Sequence, residues 1–316
     1  RNTARYQSAE VEEENFYQCL VFGKAAFCGL QRDLQIPIYF KKKGQYIMIK
    51  LIVSDVDDTL LPESTMDLNP EYFEVIKKLQ EKGVIFVAAS GRQKVSIKKV
   101  FAPIQDSIAY LADNGTDISA GDFVESMKFE EEDYVKLAQD LESLSSWGFT
   151  YMPSMPDWNF VEEAREDFYQ VVLGYGCQVK KVPDLKALPN ISKVSLYDPD
   201  GIPSDVEEAM KERWSDKMDV CIAGSCYLDF TKKGCNKGKG LEILQKHYGI
   251  TYEETAAFGN ADNDISLIEK AKYGYAVGNA SDALKKAAYE VIAPMQEDAV
   301  LGKLKEILAE MEGKCE

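Results

Sequence analysis

The stretch Leu51-Ile52-Val53-Ser54-Asp55-Val56-Asp57-Asp58-Thr59 constrains the fold more than any other part of the chain. Its short, nearly continuous apolar run reads as a strand covered on both faces, as in a parallel sheet. The same strand ends in three acidic residues within four positions. Unpaired charge beside a buried strand is costly. Such an end is either a solvated acidic turn or a place for a cation or ligand. In open α/β sheets ligands bind just beyond the carboxyl ends of the strands, where Asp55 and Asp57 fall. These residues alone do not choose between the two readings. A calcium loop is rejected, because it requires glycine at its sixth position and glutamate at its twelfth. Leu60 and Met66 stand there.

The rest of the chain supplies the context. Asn69-Pro70 opens a helix with Tyr72, Phe73, Ile76 and Leu79 on its apolar face and Gly83 at its end. A second buried strand, 84–89, runs into Ser90-Gly91-Arg92, and a basic helix over 93–101 follows. A third strand, 108–111, closes at Asn114-Gly115. This β-α-β-α-β alternation predicts a parallel sheet with right-handed crossovers. The rhythm then changes to a hairpin over 117–129, turning at Ala120-Gly121, and an acidic helix over 130–144. Short strands over 149–161, 191–197, 220–222 and 227–230 alternate with helices over 165–173 and 204–214. They predict an α+β insert at 118–230. The parallel rhythm returns at Gly234. Lys237-Gly238 opens a helix, strand 255–258 runs into Gly259-Asn260-Ala261-Asp262-Asn263-Asp264, and strand 275–277, a Ser281-capped helix, strand 291–292 and helix 297–311 complete the chain. The predicted organisation is an α/β core at 48–117 and 231–316, interrupted by the insert. Residues 1–47 lack sustained periodicity and are read as an N-terminal extension, poorly ordered or not native, with Met48 as a natural start.

Composition narrows the function. The 316 residues carry a net charge of −16 and a pI near 4.7, which argues against a nucleic-acid or anionic-membrane surface. Seven cysteines without a CxxC pair read as free thiols in a reducing cytoplasm rather than as a zinc or disulfide framework. No apolar run approaches the length of a membrane span. His247 is the only histidine and falls near a helix end, so a histidine-based triad or metal site is excluded.

Asp55-x-Asp57-x-Thr59, Ser90, Lys237 and Gly259-Asn260-x-x-Asn263-Asp264 fall at strand ends or a helix start, in that order. Together with DVDDT, AASGR, ADNG, CNKG and FGNADND they resemble the haloacid dehalogenase superfamily, in particular its Cof-type sugar-phosphate phosphatases with a large α/β cap. The likeness covers about residues 48–312. It implies a Rossmann-like core with a parallel sheet and an inserted α+β cap domain. It implies hydrolysis of a small phosphorylated metabolite, a sugar phosphate, through an aspartyl-phosphate. Asp55 is then the nucleophile and Asp57 the acid and base. Ser90, Gly91, Lys237 and Asn263 hold the phosphate. Mg²⁺ is held by Asp55, the Asp57 backbone carbonyl, Asn260 and Asp264. The family's usual acid after the loop glycine is Asn260 here, which shifts the expected anionic ligand to Asp264. Thr59 is expected to hydrogen-bond the Asp55 loop, Arg92 to meet phosphate or an acid, and Asn114 to line the cleft or a turn. A monomer or homodimer in the cytoplasm is expected. A phosphomutase on the same core and a non-catalytic phosphate- or metal-binding module are the alternatives.

Overall fold

A computed structural model describes residues 49–313 apart from 64, 175, 224 and 225. It also describes the backbone of two short strands, β1 (Phe40–Lys42) and β2 (Gln45–Ile47), which pair antiparallel. The expectation for residues 1–47 otherwise lies outside the described residues.

The chain alternates as predicted through β3 (Leu51–Asp55), β4 (Ile85–Ala89) and β5 (Ala109–Ala112), then makes the hairpin β6 (Asp117–Ala120) and β7 (Phe123–Ser126). The insert supplies β8 (Thr150–Met155), β9 (Trp158–Glu162), β10 (Val179–Val182), β11 (Lys193–Tyr197), β12 (Met218–Ala223) and β13 (Tyr227–Lys232). The chain then returns through β14 (Thr255–Gly259), β15 (Tyr273–Ala276) and β16 (Glu290–Val291). Two sheets result. One has the order β16-β15-β14-β3-β4-β5-β6-β7, parallel from β16 to β5 and antiparallel beyond; the other has the order β10-β9-β8-β11-β13-β12. The fold is an α/β core with an inserted α+β domain.

Strand β3 explains why the site lies where it does. From β3 the chain moves to β4 and β5 on one side, and it comes back as β14 on the other. The carboxyl end of β3 is therefore the switch point of the sheet, where neighbouring connections leave in opposite directions and open a crevice. All five residues of β3 are buried, as a parallel strand covered on both faces requires. The helix Glu71–Glu81 buries Tyr72, Val75, Ile76 and Leu79, and the Asn69 side chain accepts from the Glu71 amide at 3.1 Å, which is the predicted cap.

The hairpin assigned to the insert instead extends the core sheet. β6 pairs with β5 in the register Leu111↔Ile118, and both side chains are fully buried in the core cluster. Burying Ile118 there outweighs the change of strand direction that marks the hairpin in sequence. By sheet membership, the insert starts after Ser126 rather than at 118. Strand β10 was not foreseen. Its sequence is Val-Lys-Lys-Val with only Val179 buried, so no alternation announces it.

The second sheet has one apolar face and one mixed face, where Met152, Val161 and Val179 pack with Phe168 and Val172 of helix Glu166–Gly174. Val194, Leu196, Leu228 and Phe230 pack with Tyr134, Leu137 and Leu141 of helix Glu131–Ser143 and with Met210 and Trp214 of helix Ser204–Trp214. Alternation turns Lys193, Ser195, Asp229 and Thr231 the other way, and cross-strand pairing adds Ser154 and Asn159 to that face. All six of these polar residues are buried.

Candidate active site

The turn after β3 is fixed by its own backbone. The Leu60 amide donates to the Val56 carbonyl at 2.9 Å and the Asp58 amide to the Leu61 carbonyl at 2.7 Å, with Asp58 at φ 55°. Asn279, beyond β15, donates its side-chain amide to the Asp58 carbonyl at 2.8 Å. The sequence reading missed Asn279. Its signal is its place after a core strand, equivalent to that of Ser90 and Asn260.

Asp55 is buried at the strand end. Its Oδ1 lies 2.5 Å from Lys237 Nζ, which lies 2.6 Å from Asp264 Oδ1. Lys237 is the first residue of helix Lys237–Tyr248, capped by Asn236, whose side chain accepts from the Lys239 amide at 2.9 Å. Gly238 permits this docking, since a Cβ there would stand 2.2 Å from the Ser266 carbonyl oxygen. Gly259 is needed for the same reason, because its Cβ would stand 2.5 Å from Asp264 Cβ. The loop can then fold back so that Asp264 Oδ2 accepts the amides of Asn260 at 3.0 Å and Ala261 at 3.1 Å.

The second acid is gripped from β4. Ser90 Oγ donates to Asp57 Oδ2 at 3.0 Å, Arg92 Nε donates to the same oxygen at 3.1 Å, and Arg92 Nη2 lies 2.5 Å from Asp57 Oδ1. The same guanidinium donates to the Glu63 carbonyl at 2.9 Å. Ser90 Oγ also accepts the Arg92 amide at 3.0 Å. Beside it, Asn263 Nδ2 donates to Asn114 Oδ1 at 3.0 Å, and the Asn114 amide donates to the Ser90 carbonyl at 3.0 Å. A Cβ on Gly91 would touch Asn114 Oδ1 at 3.3 Å. Asp55, Asp57, Ser90, Gly91, Arg92, Asn114, Lys237, Asn263 and Asp264 thus form one connected group at the sheet's carboxyl edge.

Asp264, the expected anionic metal ligand, has one oxygen facing Lys237 and the other accepting two backbone amides. Its carboxylate thus satisfies the amides that Gly259 lets approach and pairs with Lys237. Thr59 was expected to hydrogen-bond the Asp55 loop. Its hydroxyl is buried and has no hydrogen-bond partner among the described residues, and backbone bonds and Asn279 hold the turn instead. Arg92 meets an acid, as one of its two readings had it.

With every carboxyl ionised, three carboxylates against two cations would leave the cluster one negative charge. Burial, reinforced by Asp264, pushes Asp55 up to about 7 against the pull of Lys237. Burial alone would lower the Lys237 ammonium, but Asp264 and Asp55 together raise it above its usual range. Asp55 Oδ2 is buried without a hydrogen-bond partner. A buried carboxylate oxygen of this kind calls for a cation, so the donor chemistry fits one. Among the described residues no group of three or more His, Cys, Asp or Glu forms a metal cage. A cation here would draw on carbonyl, amide or water oxygens as well.

The sequence profile of the haloacid dehalogenase-like hydrolases matches residues 52–304. The 5-amino-6-(5-phospho-D-ribitylamino)uracil phosphatase YbjI of Escherichia coli (strain K12) is 25% identical over 266 residues, covering 82% of this chain and 96% of that protein. The HMP-PP phosphatase of Klebsiella pneumoniae (strain 342) is 26% identical, covering 75% and 87%. A solved structure from Eubacterium rectale superposes with a TM-score of 0.77 at 30% identity, covering 82% of this chain and 99% of that one. The fold is also that of the HAD subclass IIB sugar phosphatase BT4131, with a TM-score of 0.68 at 24% identity. With the profile spanning most of the chain and the strand-end cluster in place, the chain belongs to the haloacid dehalogenase-like hydrolases, as an enzyme of the phosphatase type.

Proposed function

We propose that the chain hydrolyses small phosphomonoesters through an aspartyl-phosphate on Asp55. The observation that carries this reading is the state of the Asp55 carboxylate. One oxygen is held by Lys237, and the other is buried, unpartnered and placed at the switch point of the sheet. A carboxylate oriented in this way by a cation is a positioned nucleophile. One Asp55 oxygen forms the bond to phosphorus while the ester oxygen departs with the electron pair and takes a proton from Asp57. Water then attacks the same phosphorus, gives its proton to Asp57, and the Asp55–phosphorus bond breaks to release phosphate. Ser90 and Lys237 donate to the phosphoryl oxygens, and the paired Asn263 and Asn114 flank them.

Asp55, the Asp57 carbonyl and the Asn260 amide oxygen would hold Mg²⁺, which when bound offsets the negative charge of phosphate and carboxylates. With Asp264 engaged elsewhere, that site is poorer in charge than one built on two carboxylates. The substrate's organic part would meet the polar part of the second sheet's mixed face, where Ser154, Asn159, Ser195 and Thr231 are buried. Hydroxyl and amide groups there suit a hydroxyl-rich leaving group such as a sugar. The named relatives act on phosphorylated small molecules, which supports the same class. The inserted domain then serves as the lid that excludes water.

The test is phosphate release from an aryl phosphate and a panel of sugar phosphates, with and without Mg²⁺. Release that requires Mg²⁺ and favours sugar phosphates is expected. No release under any condition from folded protein contradicts the reading.

A further inference from the structure

We propose that Lys193 is a positioning residue for this reaction: by pairing with Asp113 it seats the inserted sheet on the loop that carries Ser90 and Arg92. The proposal rests on the phosphatase reading above. Lys193 stands on β11 in the inserted sheet, and Asp113 follows β5 in the core sheet. Lys193 Nζ lies 2.6 Å from Asp113 Oδ1 and 3.9 Å from Asp229 Oδ2, with all three residues buried. Burial alone would lower the Lys193 ammonium, but Asp113 and Asp229 raise it above its usual range. It is therefore charged whenever the two sheets are together.

Asp113 passes this contact to the chemistry through short bonds. Its amide donates to the Arg92 carbonyl at 2.9 Å, and the next amide, of Asn114, donates to the Ser90 carbonyl at 3.0 Å. Arg92 and Ser90 are the two residues that grip Asp57. A shift of Asp113 thus displaces the frame of the acid and base. The basic helix Lys94–Val100 ties the same side of the core to the insert at both ends. Lys94 Nζ lies 3.7 Å from Asp157 Oδ1, and Lys99 Nζ donates to the Gly176 carbonyl at 2.8 Å. These two contacts are more exposed and are screened by solvent. The buried Lys193–Asp113 pair is not. A buried ion pair adds little stability relative to an apolar pair, but it admits only a narrow geometry. Placed between two sheets, it selects one seating of the lid.

The test compares the full chain with Lys193→Met, Lys193→Arg and Asp113→Asn, in Mg²⁺, on an aryl phosphate and two sugar phosphates. Lys193→Met is expected to lower kcat about tenfold to a hundredfold. The factor is the same on all three substrates, KM changes little, and Lys193→Arg recovers most of the loss. Backbone amides at Ser90, Arg92 and Asn114 exchange hydrogen faster in Lys193→Met and Asp113→Asn than in the parent. Wild-type kcat in a folded Lys193→Met protein overturns the proposal, as does unchanged exchange at those amides. A loss confined to one leaving group also overturns it, by making Lys193 a substrate contact. If Lys193→Met does not fold, Asp113→Asn gives the same readings, because it keeps a hydrogen-bonding side chain. A parent enzyme without turnover defeats the phosphatase reading, while the exchange data still decide the role of Lys193.

Discussion

Among the described residues two lysines are buried, each flanked by two aspartates, and their surroundings differ. Lys237 lies within 2.6 Å of both Asp55 and Asp264. Lys193 lies 2.6 Å from Asp113 but 3.9 Å from Asp229, which takes a hydrogen bond from Ser195 Oγ at 2.6 Å. Around Lys237 every group belongs to the core, and one carboxylate oxygen, Asp55 Oδ2, remains without a partner. Lys193 joins two sheets. Burying charge is costly in either place. On the proposed reading it is retained in the first to aim a nucleophile, and in the second to fix how one domain rests on the other.

Substitution should separate these roles, and the largest effect belongs to Asp55. Asp55→Asn is expected to reduce turnover by about four orders of magnitude or more. The sign of its stability effect follows from the raised Asp55 carboxyl, at about 7 against the usual 3.8. The folded state prefers the protonated acid, so the acid is least costly below about pH 4, and stability is lost as pH rises toward 7. Asp55→Asn should therefore melt at or above the parent temperature at pH 8 and show no gain at pH 4. Thermal melts at the two pH values measure this.

Lys237→Met comes next. It leaves Asp55 and Asp264 buried without their cation and should cost about 3–5 kcal/mol in denaturant titration, with kcat reduced about a hundredfold or more. The corresponding change at Lys193 should cost less in turnover, and comparable losses at the two sites would erase the distinction drawn between them. Asn260→Asp tests the deficit of charge at the nucleophile. It should lower the Mg²⁺ concentration for half-maximal activity by about tenfold, measured by titrating the apo-protein.

The smallest effect is at Asp117, a buried acid 3.3 Å from the partly exposed Lys94. Burial raises its carboxyl to about 6, with Lys94 pulling the other way. By the same sign, Asp117→Asn should stabilise the fold by about 1–2 kcal/mol at pH 7 and not at pH 3.5.

The core was legible because its strands announce themselves. Leu51 to Val53 run apolar into carboxylates, and Gly83, Gly249 and Asn69 punctuate the helices where the chain turns. The meeting of Asp55 and Ser90 was legible because strand ends of a parallel sheet converge, whatever their separation in sequence, whereas Lys237, at a helix start, was placed with them by the family resemblance. Four things were hidden. β10 carries two lysines on a four-residue strand, so its pattern is too short and too polar to read. The hairpin β6–β7 has local signals that say only that it is a hairpin, while its partner sheet is chosen by burying Ile118. The contacts of Asp264 depend on how the loop after Gly259 folds back, and spacing alone did not show that it would pair with Lys237. The bridge from Lys193 to Asp113 is equally invisible in sequence, because it joins two domains through side chains that each read as surface charge.

The most direct test of Asp55 as nucleophile uses Asp57→Asn with an aryl phosphate. The aryl leaving group departs without an acid, whereas the hydrolysis of the intermediate loses its base. The account predicts a burst of one aryl alcohol per chain and a phosphoryl group recovered on the peptide that carries Asp55, cleaved by hydroxylamine. A phosphoryl group recovered on another residue, or turnover that survives Asp55→Asn, would contradict it.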